Sequence, residues 1–438
     1  MTQIKASRIL RVAIIAALCT TSARGADAPA APAAPAAPAM NSLETALTGG
    51  KAHFDFRYRY EQVDQEGFDY DAYASTLRTR LSYTTAEWNG LTAMLEAANV
   101  LVVGQYNLYN STTNGARSRP VVADPKYTEV NQAWLQYKKG SFTGIGGRQV
   151  INLDNQRFVG NVAWRQNDQT YDSVTLKLGA IPRTQLFYSW VGNVNRVTGP
   201  DNGPLPGGFP GNLSGSTNLL NARVDLGVAG ALSVFDYQLG FDRNAPYSAA
   251  VTNNLSSNSY GAHYTGSYKF SDTAKLNWIG SIARQVDDAD STLDYTADYY
   301  LIEGGFGLKN FGLKAGYEVL GGNTKANTTG FQTPLATLHI FQGWADKFLT
   351  TPKAGVEDFY IGGSANFGKL AMQVIYHDFQ AEAVNQDYGT EWDASVGYKF
   401  STRYEALLKY ANYSADGDAT GVQASDATKT WLQFTASF

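Results

Sequence analysis

Residues 431–438 read Trp431-Leu-Gln-Phe-Thr-Ala-Ser-Phe438, a strict alternation closed by an aromatic residue. An extended chain points successive side chains to opposite faces. Leu432, Phe434, Ala436 and Phe438 therefore share one face, and Trp431, Gln433, Thr435 and Ser437 the other. Repeated along the chain, that period of two is how a membrane β-barrel is written. The terminal Phe438 resembles the signal that the outer-membrane barrel-assembly machinery reads on its clients, which makes that machinery an expected partner.

Working outward, the same alternation recurs in about eighteen segments between residues 53 and 438, with about sixteen also compatible. A tilted strand of roughly 9–11 residues crosses the hydrocarbon layer, and the segments have that length. The connections alternate between short ones (Glu87-Trp-Asn-Gly90, Lys139-Gly-Ser141, Gly368-Lys369) and long ones (104–126, 154–169, 322–355). Short periplasmic turns and long external loops are the expected barrel topology, and an even count leaves both termini in the periplasm. No run of about 18 apolar residues offers a transmembrane helix. The expected fold class is all-β, a transmembrane antiparallel up-and-down barrel in the outer membrane of a Gram-negative cell.

The N-terminus carries the matching address. Lys5, Arg8 and Arg11 precede an apolar core from Val12 to Thr20, and Ala23-Arg24-Gly25 offers a small-residue cleavage site, so 1–25 reads as a signal peptide. Cys19, the one cysteine, follows Leu18 where a lipoprotein signal wants a small residue, so the mature chain has no thiol chemistry. Removing Lys5, Arg8, Arg11 and Arg24 takes the formal charge from −4 to −8, which argues against nucleic acid as a partner. Residues 26–50, rich in Ala and Pro, read as a periplasmic linker, and 51–438 as the barrel.

Polarity assigns the faces. In the first strand Phe54, Phe56, Tyr58 and Tyr60 are expected to face lipid and Asp55, Arg57, Arg59 and Glu61 the lumen. In the second, Leu77, Leu81 and Tyr83 face out, with Arg78 and Arg80 inside. In the tenth, Tyr260, Tyr264 and Tyr268 face out, with His263 and Lys269 inside. Charge at mid-membrane on the lipid face costs about 2–4 kcal/mol per residue, so these charges line a hydrated interior. A barrel of about sixteen to eighteen strands encloses an aqueous channel rather than a packed core. Arginines concentrate in the first half, among them Arg57, Arg59, Arg78, Arg80, Arg148, Arg157, Arg165 and Arg223; acids such as Glu303, Glu318, Asp358 and Asp393 come later. Arginine stays charged and grips carboxylates bidentately. A ladder of such residues suits an anionic or sugar-like solute passing by many weak contacts. The structural alternative is that they pair with Glu61, Glu96 and neighbouring acids as bridges across the wall.

The stretch Gly147-Arg148-Gln149-Val-Ile-Asn-Leu-Asp154-Asn-Gln-Arg157-Phe-Val-Gly160-Asn-Val-Ala-Trp164-Arg165-Gln166-Asn-Asp168-Gln-Thr-Tyr171-Asp172 resembles the hallmark of the alginate-export-like outer-membrane barrel family. Ser75-Thr-Leu-Arg78-Thr-Arg80-Leu81, Val130-Asn-Gln-Ala-Trp-Leu-Gln-Tyr137 and the block from Phe331 to Pro352 are similar to the family as well. The resemblance implies an eighteen-stranded conduit with an arginine-rich constriction. It also brings polysaccharide export with periplasmic export proteins as partners, although porin-like relatives are the nearer likeness. A general or small-solute uptake porin is the alternative.

Arg148 is expected on the fifth strand, Arg157, Trp164, Arg165 and Asp168 in the next connection, and Asp172 at the start of the sixth strand. That connection, 154–169, could form a constriction with Arg157 and Arg165 facing solute, positioned by Glu96, Trp164, Asp168 and Asp172. It could equally be a knot that fixes the loop to the wall. The connection 322–355 is too apolar for a free tail and too long to be structureless without a purpose. It is expected to carry a short helix near 341–348 and to form a lid or plug, with Trp344 against a sugar or the wall and Asp346 and Lys347 facing water.

Other chemistry is excluded or thin. His53, His263, His339 and His377 are dispersed without ligand spacing, so neither a metal nor another cofactor is expected. No Gly-x-Ser-x-Gly elbow supports a barrel-borne hydrolase. Asp64, Glu66, Asp69 and Asp71 in the first external loop suit solvated surface or bridging to lipopolysaccharide by divalent ions, and the outer-membrane lipid itself is the surrounding partner.

Overall fold

In a computed structural model, which describes residues 42–199, 210–242, 255–288 and 291–438, the chain forms one closed antiparallel sheet of eighteen strands. They are β1 (Lys51–Gln65), β2 (Ala72–Thr84), β3 (Leu91–Val102), β4 (Tyr127–Lys139), β5 (Phe142–Gln149), β6 (Thr170–Leu178), β7 (Thr184–Asn195), β8 (Asn212–Asp225) and β9 (Ala231–Leu239). The second half holds β10 (Ser257–Lys269), β11 (Ala274–Asp287), β12 (Thr296–Leu308), β13 (Phe311–Leu320), β14 (Val356–Phe367), β15 (Leu370–Gln380), β16 (Asp387–Lys399), β17 (Tyr404–Ala415) and β18 (Ala427–Ser437). Each pairs with its neighbours in sequence, and β1 closes the ring on β18. Closure gives every strand a partner on both sides, as lipid demands. The signal peptide and most of the expected linker lie outside the described residues.

Alternation has the expected sense. Tyr58 lies opposite Phe434 and Leu77, and Tyr60 opposite Leu432. Leu95, Leu135, Ile282, Ile302 and Leu432 are among more than a dozen large apolar side chains left over half exposed. Such a surface would be a liability in water and is the lipid face of a barrel. The opposite face carries Arg59, Glu61, Arg78, Glu318, Asp358, Glu391 and Asp393, all buried inside.

At the seam Phe54 and Phe438 exchange backbone hydrogen bonds of 3.0 and 2.8 Å. The Phe438 ring meets Tyr404 at 5.8 Å, with the Arg403 guanidinium 5.6 Å away. Deleting Phe438 will cut the yield of barrel whose electrophoretic mobility shifts on heating; an unchanged yield would remove any assembly role.

Where a linker was expected up to residue 50, a short helix, α1 (Leu43–Thr48), forms instead. Ser42 caps it by accepting from the Thr45 backbone N–H at 3.1 Å. The Tyr83 hydroxyl donates to the Leu47 carbonyl and accepts from the Gly50 N–H, fastening the helix to the barrel rim. A side chain at position 50 would run into the Tyr83 ring, which is why glycine stands there.

Candidate functional site: a lumen filled by two inserted loops

The barrel interior is not uniformly aqueous, contrary to expectation. The β5–β6 connection (154–169) and the β13–β14 connection (322–355) both fold into it and zip together. Val159 bridges Leu335, Gly160 N donates to Leu335 O at 2.9 Å, and Thr337 N donates to Gln156 O at 3.1 Å. Phe158 packs on Phe235 at 4.8 Å, Tyr299 at 5.2 Å and Phe331 at 5.9 Å. Phe348 packs on Phe379 at 4.5 Å. Inward aromatics of the wall thus form a core with apolar residues of the loops. The gap between Phe158, Tyr237 and Gln332 measures about 10 Å³, room for about one water.

The expected helix near 341–348 is absent; a single 3₁₀ turn spans Leu338–Ile340. Positive φ at Gln342, Gly343 and Asp346 interrupts any helix there. Wall carboxylates take the freed donors: Trp344 N reaches Asp393 Oδ2 at 3.1 Å and Ala345 N reaches Glu391 Oε1 at 2.7 Å. Gly343 sits so close to Glu391 that a Cβ would lie 2.4 Å from its carboxylate.

The arginines sort by burial. Arg59, Arg78, Arg157 and Arg165 are buried and committed to carboxylates. Arg157 Nε meets Glu318 at 2.7 Å, while its other nitrogens reach Thr333 Oγ1 at 2.9 Å and Gln342 Oε1 at 3.0 Å. Arg165 meets Glu61 at 3.2 Å and Asp346 at 3.1 Å. Arg57 donates to the carbonyls of Ala163, Trp164 and Arg165 between 3.0 and 3.3 Å. Arg80 holds Asp168 at 2.7 Å, and Glu96 accepts from Asn131 and Gln132 on β4. Burial works against the Asp168 carboxylate, but Arg80 and Arg78 hold its pKa below the usual carboxylate value. Arg223 is 43 % exposed, 3.9 Å from Asp154.

Two placements correct the expectations. Arg148, expected in the lumen, pairs in register with Ala133 and Asp172, and its neighbour Gly146 pairs with Leu135 and Val174, both exposed. Arg148 and Asp172 therefore lie on the outward face, joined at 2.7 Å. Asp346 and Lys347, expected to face water, are buried instead. The Asp346 side chain is 4 % exposed, and Lys347 donates to Ser425 O at 2.6 Å.

Asp346 anchors a junction of both loops and the wall. It accepts from His339 Nδ1 at 2.7 Å, Lys429 Nζ at 2.8 Å and Arg165 at 3.1 Å. His339 Nε2 lies 2.6 Å from Lys409 Nζ, and its ring stacks on Trp164 at 4.6 Å. Lys409 Nζ sits 3.7 Å over Trp344, 4.1 Å over Trp164 and 5.2 Å over Trp431, while Arg59 lies 4.0 Å over Trp164. Trp344 thus packs against the wall's ammonium and is 7 % exposed. Lys409 and Lys429 escaped the sequence reading, and His339 entered it only as one of four dispersed histidines. Lys409 and Lys429 occupy inward positions of an alternating strand, which is the signal that could have found them.

Burial pushes the His339 imidazole well below its ordinary 6.5; Asp346 opposes this, and Lys409 adds to it. A released loop would bind a proton that the docked loop refuses, so docking is fully stable above 6.5 and weakens as the pH falls below it. Loop 322–355 will therefore become more protease-sensitive in acid, and His339→Gln will flatten that dependence. Equal cleavage across the range in the parent would contradict it.

No cluster of three or more His, Cys, Asp or Glu suited to a metal occurs among the described residues. The model of a family described as alginate export matches residues 51–333. Among solved structures, Pseudomonas aeruginosa OccK9 (OpdG) is similar at 13 % identity with TM-score 0.69, over 90 % of this chain and 99 % of that one. Acinetobacter baumannii OccAB2 gives 16 % and 0.68 over 90 % and 99 %. Pseudomonas aeruginosa OpdK, solved with vanillate, gives 12 % and 0.65 over 90 % and 99 %. No curated protein sequence matches the chain.

Proposed function

Because this chain belongs to the alginate export family, an outer-membrane barrel family, we propose that it is a selective channel for anionic hydrophilic solutes. The observation that supports the reading is the barrel interior narrowed by two docked loops, with arginines on the inward strand faces around them. Arg57, Arg80 and Arg223 are the side chains proposed to meet solute, because each faces inward with part of its surface uncovered. Arg59, Arg78, Arg157 and Arg165 serve it indirectly by holding the loops. A planar guanidinium already half engaged binds a passing carboxylate weakly, which is what conduction requires.

The packed loop layer favours a small solute over a polymer. A polyuronate would need the loops displaced, whereas a compact carboxylate, such as the vanillate present in the OpdK structure, needs far less room. A polysaccharide-export role would add periplasmic partners.

Reversal potentials across a salt gradient test the proposal. The parent channel will select anions, and Arg223→Glu will lower or reverse that preference. An unaltered reversal potential would remove Arg223 from the path. Block by small carboxylates but not by polyuronate oligomers would favour the small-solute reading, and the opposite pattern the export reading.

A further inference from the structure

One strand stops short of its neighbour. β5 ends at Gln149, opposite Tyr171 of β6, whereas β4 starts at Tyr127; β6 keeps pace with β7, pairing Thr170 with Asn195. Pairing of β4 with β5 reaches only Ala133 opposite Arg148. The outer end of β4 therefore has no strand on that side, and the wall has a notch. The 154–169 loop closes it from within: the Asn167 carboxamide donates to Pro125 O at 3.2 Å and to Val197 O at 3.3 Å. What remains is a recess of about 280 Å³ lined by Glu129, Arg148, Asn193, Asn195, Arg196 and Asn212.

Register fixes the direction in which it opens. Asp172 is two residues from Val174, which pairs with Trp190, and both are exposed. The Arg148–Asp172 floor, bonded at 2.7 and 3.1 Å, therefore faces outward at the external end of the strands. Above it Asn193 Nδ2 lies 3.2 Å from Asp172 Oδ2, 3.0 Å from Asn195 Oδ1 and 3.2 Å from Asn212 Oδ1. The Trp190 indole lies outside the lining: it covers Gly192, where a Cβ would lie 3.0 Å from its ring, and donates to Ser216 Oγ at 3.2 Å.

We propose that this recess binds one uncharged sugar ring. Hydroxyls both donate and accept, and the lining offers both roles: carboxamides supply each, the guanidinium donates, and Glu129 and Asp172 accept. A bare phosphate would meet two carboxylates, so an anion is a poor match. The volume falls at the lower limit of small-molecule sites, which suits a single ring rather than a chain. The sugar could belong to a neutral glycolipid or arrive as a free saccharide. Both bring the same chemistry.

The test uses the full chain in a detergent without a sugar headgroup, probed separately with a neutral glycolipid, monoglucosyl diacylglycerol, and with free N-acetylglucosamine by native mass spectrometry. Asn193→Leu and, independently, Asn212→Leu keep the lumen intact, as a parental conductance and a heat-shifted mobility verify. Each removes recess hydrogen bonds, so about a tenfold loss of binding is expected. That loss with the neutral glycolipid alone assigns a glycolipid headgroup; with the free sugar, a soluble saccharide. No binding of either probe by the parent, equal binding in both folded variants, or displacement by inorganic phosphate would overturn the site.

Discussion

Arg157→Met will loosen both inserted loops at once. The guanidinium is 1 % exposed and ties its own 154–169 loop to Glu318 on β13 and to Thr333 and Gln342 in the 322–355 loop. Its planar face also lies 4.7 Å from the Phe341 ring centroid. Methionine replaces the aliphatic stem but leaves Glu318 buried with only the Tyr299 hydroxyl and Gln342 to satisfy it. Stranding one member of a buried ion pair costs about 3–5 kcal/mol. Limited proteolysis within 154–169 and 322–355 will quicken, and the thermal transition will fall. Adding Glu318→Gln should recover much of the loss, because the pair and not the charge alone is what matters. Parental cleavage and melting in Arg157→Met would show that the clamp contributes nothing.

Asp346→Ala should act on transport more than on the barrel. The wall keeps its ladder, but Lys429, His339 and Arg165 lose the carboxylate they share. Arg165 retains Glu61, 3.2 Å away. Lys429 and His339 have no such reserve among their recorded salt bridges, so the loop pays most of the penalty. Weakening its docking by about 3 kcal/mol shifts the docked–undocked ratio by roughly a hundredfold. Single-channel recordings should then show a larger, noisier conductance with brief returns to the parental level. A conductance matching the parent would mean that the junction does not restrain the loop.

Much of this was legible from residues alone. Phe54 to Tyr60 and Tyr260 to Tyr268 declare their lipid face because a bulky aromatic recurs at every second position. The fifth strand hid its orientation. Phe142-Thr-Gly-Ile-Gly-Gly-Arg-Gln149 places glycine at two outward positions and one inward, so no side-chain contrast marks which face Arg148 takes. The helix expected near 341–348 failed for another reason. Local apolar spacing favoured it, but Glu391 and Asp393, far along the chain, compensate the backbone N–H groups of an irregular path.

The sequence by itself determined an up-and-down barrel of about sixteen to eighteen strands, its lipid face and the places of its long connections. A pleat of period two and a bilayer of set thickness are local constraints, readable strand by strand. Only the tertiary structure decided which arginines are buried clamps and which stay partly exposed. That choice depends on partners such as Glu318, which lies 161 residues from Arg157. A charge's role inside a barrel follows from what is packed against it, and distant segments are brought into register only when the ring closes.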